Sequence, residues 1–154
     1  MKLSTKEDIE APIDVVFAML CEFETFERAA MRRGAEVQRT DSMQMAGVGM
    51  AWRAAFNMRG KRRQVEIEMI TFDKPNEIAL ECRSQGLLTL MTLELVALSK
   101  NRTRLMTAFD VKPLNLSARL LVQSLKLAKT SLTKKFKLRV ADFAKTVEER
   151  HKKA

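Results

Sequence analysis

From Leu116 to Glu149 the chain has neither glycine nor proline, and Leu121, Leu125, Ala128, Leu132, Phe136, Val140, Phe143 and Val147 recur there at steps of three and four. On a helical wheel these positions share one stripe, which predicts one long helix, dry along a single side. Most of the stability of such a helix comes from packing that stripe, so the rest of the chain must present a matching apolar face.

That face lies upstream, where the hydrophobic period is two. Trp52, Ala54, Phe56 and Met58 alternate with Arg53 and Asn57; Val65, Ile67 and Met69 alternate with Gln64, Glu66 and Glu68. Ile78, Leu80 and Cys82 oppose Glu77, Glu81 and Arg83. Leu87 to Ala97 follows, and then Leu105, Thr107 and Phe109 alternate with Arg104, Met106 and Ala108 until Pro113. Turn signals at Gly60-Lys61, Lys74-Pro75-Asn76 and Gln85-Gly86 separate these runs, and such short connections predict an antiparallel meander with one wet face and one dry face.

Ahead of the meander, Lys2 to Glu10 reads as a strand that stops at Ala11-Pro12. Pro12 and Asp14 suit a helix start, so a short helix runs to about Cys21. Phe23, Phe26, Ala30 and Met31 predict a second one ending at Gly34. Val37 to Thr40 is a weak strand, and Gly47 to Gly49 a turn or bulge. The expectation is a single α+β domain over residues 1–154, with the long helix at about 116–149.

A hydrophobic share of 46% with 31% charged residues excludes a disordered chain. The N-terminal MKLSTKEDIEAP lacks the uninterrupted apolar segment of a secretory signal, and the longest apolar run, Leu87 to Leu98, is broken by Thr89, Thr92 and Glu94. The compartment expected is cytoplasmic, where isolated Cys21 and Cys82 act as small reduced hydrophobes.

Catalytic patterns are scarce. His151, the only histidine, sits in a charged tail, and tyrosine is absent, so neither a His-based triad nor a His metal cluster can be built. Gly47-Val48-Gly49 lacks the rest of a phosphate-binding loop. Glu66 and Glu68 share a strand face, but the wet one. No catalytic residue, metal ligand or cofactor is assigned, and binding is favoured over catalysis.

The stretch IEAPIDVVFAMLCEFETFERAA, Ile9 to Ala30, resembles the opening of the SRPBCC or START-like superfamily, also called polyketide cyclase/dehydrase-like or Bet v 1-like. Ala11, Pro12, Asp14, Val16 and Phe17 match its pattern directly, and Phe23 and Phe26 take its later aromatic positions. The order of elements agrees over nearly the whole chain. The resemblance implies a helix-grip fold: a curved antiparallel sheet wrapped around a long C-terminal helix, two short helices after the first strand, and a cavity between sheet and helix. It implies apolar or amphipathic ligands such as lipids, sterols, quinones or polyketides, with a cyclase or dehydratase-type enzyme as the alternative.

The candidate ligand-binding residues are Trp52, Phe56, Met58, Val65, Ile67, Met69, Leu80, Met91, Leu93, Leu105 and Phe109 from the sheet, facing Leu125, Ala128 and Leu132 from the helix. Thr107 and Ser84 are the polar groups whose parity points inward. Ten methionines suit a pocket that adapts to its contents.

Charge is unevenly placed. Through Val111 the chain carries 16 basic and 16 acidic residues, whereas Lys112 to Ala154 carries 12 and 3, so the net +9 belongs to the C-terminal segment. Lys126, Lys134 and Lys137 project away from the stripe, and Leu116, Leu120, Leu127 and Leu138 also fall outside it. This combination marks a candidate docking face for anionic membrane. Cover by the two short helices or by a second subunit is the alternative, and the sequence sets no oligomeric state. Nucleic acid is disfavoured: Arg59, Lys61, Arg62 and Arg63 cluster at a hairpin, but there is no recognition motif and Trp52 sits in the dry alternation rather than on a basic surface.

Overall fold

Every period-two segment forms a strand in the computed structural model, which describes residues 1–154. The elements are β1 (Lys2–Ile9), α1 (Ile13–Leu20), α2 (Phe23–Arg32), β2 (Glu36–Arg39), β3 (Ala51–Met58), β4 (Lys61–Asp73), β5 (Glu77–Ser84), β6 (Leu87–Ser99), β7 (Arg102–Pro113), α3 (Leu116–Leu127) and α4 (Lys129–Lys153). The strands make one antiparallel sheet in the order β1-β7-β6-β5-β4-β3-β2. Strand β1 pairs with β7 from Lys2↔Asp110 to Ile9↔Thr103, which brings the first strand beside the last. A bulge between Met69 and Thr71 shifts the parity of β4, so that Met69 and Phe72 both face inward while Ile70 is exposed.

The concave face is not buried evenly. At one end Ile9, Trp52, Met69, Ile78, Leu95 and Leu105 pack against Val16, Phe17 and Leu20 of α1 and Val140, Ala144 and Val147 of α4 as one buried cluster. Phe17 and Phe72 meet edge to face there, 5.5 Å between centroids. Thr103 closes this end by donating its hydroxyl to the Ala11 carbonyl at 2.8 Å. Towards the β3–β4 and β5–β6 turns the inward residues Phe56, Val65, Cys82, Thr89 and Val111 are only half-buried.

The C-terminal helix is interrupted, unlike the continuous one expected from the absence of glycine and proline. Ala128 (φ −99°, ψ 12°) ends α3 and opens α4. Poor helix formers follow at Thr130, Ser131 and Thr133. The two halves also have different supports, since α3 packs on β7 whereas α4 packs on β1 and α1. Within the apolar stripe, Ala118 and Val122 of α3 and Val140, Ala144 and Val147 of α4 are the buried positions; Leu121, Leu125, Leu132 and Phe136 keep part of their surface.

The distal end of α4 is fixed. Arg150 makes a two-point bond to the Glu22 carboxylate (2.6 and 2.8 Å), and the Glu148 carboxylate accepts the Glu10 N–H at 2.8 Å. Both Glu22 and Arg150 are held in their charged forms: the bond lowers the carboxyl and raises the guanidinium. The α3 end is held at hairpin tips, where Arg59 donates to the Ser124 hydroxyl at 2.6 Å and the Leu114 N–H bonds to the Gly86 carbonyl at 2.7 Å. Gly86 has φ +78°, and a Cβ there would run into the Asn115 side chain, so glycine permits this close approach. Asn115 itself caps α3 by accepting the Ala118 N–H at 2.8 Å.

Candidate functional site

The half-buried end of the sheet and the helices over it bring together the apolar side chains of a candidate trough. On the sheet these are Phe56 and Met58 of β3, Val65 and Ile67 of β4, Leu80 of β5, Met91 and Leu93 of β6 and Phe109 of β7, of which Ile67, Leu80 and Leu93 pack against the buried cluster. Leu121 and Leu125 of α3 and Leu132 and Phe136 of α4 are half-buried too, as is Ala128 between the helices. Register fixes this grouping, because Met91 lies opposite both Leu80 and Phe109 and Ile67 lies opposite both Trp52 and Cys82.

The remaining expected lining residues lie deeper. Met69, Leu105 and Trp52 belong to the packed cluster. The Trp52 indole donates to Glu27 Oε2 at 3.0 Å, its ring lies 5.6 Å from that of Phe23, and the Arg39 guanidinium stands 5.5 Å from it. Thr107 is buried between Thr5 and Leu93 with a hydroxyl that has no partner.

Two recesses open at opposite ends of the structure, and neither is lined by the expected apolar set. One, of about 290 Å³, lies where the β3–β4 and β5–β6 turns meet α3, between Lys61, Arg63, Gln85, Gly86, Asn115, Ser117, Ala118 and Leu121. The other, of about 390 Å³, lies between the α1–α2 junction and the β2–β3 loop, with Phe23, Arg39, Met43 and Met50 among its lining. Asp41 ties that loop down: it accepts two bonds from Arg39 (2.7 and 2.6 Å) and the N–H groups of Met43 (2.9 Å) and Ala51 (2.8 Å). These bonds, Arg39 first, hold its carboxyl far below the usual carboxylate range.

The concave face carries more polar groups than Thr107 and Ser84. Arg63 has the parity of Val65 and pairs with Phe56, so it too faces inward, and its Nε is buried without a partner, as is the Ser84 hydroxyl. The signal was available, because counting back by twos from Met69, Ile67 and Val65 arrives at Arg63. The hairpin cations therefore do not form one basic surface: Arg62 pairs with Glu36 at 3.0 Å, Arg59 with Ser124, and Arg63 turns in. Glu7, opposite Leu105, is the one carboxylate on the concave face of the sheet.

Burial pushes the Cys82 thiol up to about 11, with Glu81 adding to the effect, so Cys82 is a protonated wall residue rather than a nucleophile. No three His, Cys, Asp or Glu side chains converge in a metal-binding group. Lys126, Lys134 and Lys137 are exposed on the outer surface of the helices. No helix is long and apolar enough to cross a membrane.

No sequence-family profile matches the chain, and no curated protein matches it in sequence. Solved structures do. Norcoclaurine synthase of Thalictrum flavum, as a point mutant in complex with a transition state analogue, aligns with a TM-score of 0.69 at 13% identity, over 98% of this chain and 96% of that chain. The Zhui aromatase/cyclase of Streptomyces sp. R1128 gives 0.67 at 14% identity, covering 97% and 94%. A protein of Thermus thermophilus gives 0.65 at 16% identity, covering 97% and 96%. The chain shares the helix-grip fold of these proteins.

Proposed function

We propose that the protein binds a hydrophobic small molecule, of lipid, quinone or polyketide-like type, in the trough between the sheet and the C-terminal helices. The observation that carries this reading is the gradient of burial, in which one concave surface is tightly packed at the α1 end and leaves apolar side chains accessible at the α3 end. Binding is favoured over a cyclase or dehydratase-type reaction. Glu7, the only carboxylate on the concave face of the sheet itself, lies level with Leu105 in the packed half, and the Cys82 thiol stays protonated.

Native mass spectrometry followed by organic extraction tests the reading. A quinone, fatty acid or other lipid co-purifying near one-to-one supports it. A protein that is empty as isolated and takes up no such molecule when offered would overturn it.

A second surface supports exchange of this cargo at anionic membrane. Helix α3 is apolar on two sides: Ala118, Val122 and Leu125 face the protein, while Leu116, Leu120 and Leu127, within about 40° of one another on the opposite side, are 72%, 59% and 91% exposed. Neither α1 nor α2 covers them. Between Asp110 and Asp142 there is no acidic residue, while Arg119, Lys126, Lys129, Lys134 and Lys137 are exposed beside the leucines. A second copy on this face would set cation against cation, whereas an anionic bilayer meets both the leucines and the charge. Flotation with vesicles of 30% phosphatidylserine in phosphatidylcholine should carry the protein, and Leu120→Ser with Leu127→Ser, or Lys134→Glu with Lys137→Glu, should release it. Binding to pure phosphatidylcholine, or a concentration-dependent dimer without flotation, would overturn this part.

A further inference from the structure

Arg63 differs from the other arginines of the sheet. Arg53 pairs with Glu66 at 2.6 Å, Arg62 with Glu36, Arg83 with Glu81, and Arg102 and Arg104 with Asp8. Arg63 has no carboxylate, although a buried guanidinium N–H without an acceptor is costly. The recess it lines contains a second cation, Lys61, amide groups from Gln85 and Asn115, and no acid. On the neighbouring strand β5 the Ser84 hydroxyl is also buried and unpartnered. These groups collect hydrogen-bond donors where the apolar trough opens, next to Phe56 across the ladder and Leu121 on α3.

We propose that Arg63, backed by Lys61, anchors the carboxylate of an amphipathic ligand whose apolar part lies along Phe56, Val65 and Leu121. The inference rests on the ligand-binding reading above and specifies its substrate class: an acid rather than a neutral lipid. A planar guanidinium suits a carboxylate because its N–H groups can meet both oxygens. The recess is about 290 Å³, the lower limit of an ordinary ligand pocket, so it holds a head group while the tail must run into the trough.

The test compares cis-parinaric acid with its methyl ester, two fluorescent probes with the same tail. The wild-type protein should bind the acid roughly ten- to hundredfold more tightly at pH 8, as expected for a charge-assisted bond in a partly dry site. Arg63→Gln should abolish that preference by weakening the acid far more than the ester; Lys61→Gln should reduce the preference by a few fold. Equal wild-type affinity for acid and ester would overturn the anchor and leave the trough standing. Failure of both probes to bind would overturn the ligand-binding reading itself. Should Arg63→Gln not fold, the wild-type acid-to-ester ratio decides alone.

Discussion

Phe109 of β7 and Phe136 of α4 meet edge to face, their ring centroids 5.1 Å apart and their planes at 65°. Both rings are half-buried, and they lie where the packed end of the sheet gives way to the open one. Edge-to-face aromatic pairs contribute beyond their buried area. A double-mutant cycle of Phe109→Leu and Phe136→Leu in urea unfolding should therefore show a coupling of about 0.5–1.5 kcal/mol. Strict additivity would mean that the helix does not sense the sheet through this pair.

The packed and open halves should separate stability from binding. Met69 is fully buried, so Met69→Ala should cost about 2–5 kcal/mol while leaving the probe affinity of the folded fraction nearly unchanged. Met91 is half-buried in the trough, so Met91→Ala should cost about 1 kcal/mol and weaken binding of the parinaric methyl ester several-fold. Urea titration and fluorescence on the same preparations check both. Parallel losses in the two variants would erase the distinction between core and trough.

Asp41 links the β2–β3 loop to pH. Its folded-state pKa lies below the unfolded value, so its stabilisation is complete above about pH 4 and is lost as pH falls through the folded value. Asp41→Asn should melt below the wild type at pH 7 by a margin that stays constant down to about pH 4 and then narrows. Calorimetry across that range reads it directly; a margin independent of pH would assign the loss to shape rather than charge.

Gly86→Ala should destabilise by about 1–3 kcal/mol, since the left-handed backbone and the contact with Asn115 both oppose a Cβ. The expected change is local to the start of α3. Amide exchange should accelerate at Ala118, whose N–H bonds to Asn115, and not at Val147.

Alternation made the sheet legible, because Val65, Ile67 and Met69 can face only one way once Gln64, Glu66 and Glu68 are wet. Helical spacing likewise placed Val140 and Val147 on the dry side of α4. The break at Ala128 was not legible, since it depends on where two helix halves find support rather than on a glycine or proline. The polar recess was missed for a related reason. Gln85 and Gly86 read as turn residues and Lys61 as a hairpin cation, and they converge with Asn115 only because two hairpin tips close on α3. Strand parity could have singled out Arg63, but not the absence of an acid facing it.

The C-terminal helices are fastened unequally, which predicts that they open unequally. Helix α4 is locked distally by Arg150 to Glu22 and by Glu148 to the Glu10 amide, while α3 rests on Arg59–Ser124 and the Gly86–Leu114 bond at hairpin tips. Swinging α3 about Ala128 breaks few interactions and leaves the α1-end core intact. On the ligand-binding reading proposed above, exchange with the trough is expected to need only this partial opening and to be faster than unfolding of the whole chain.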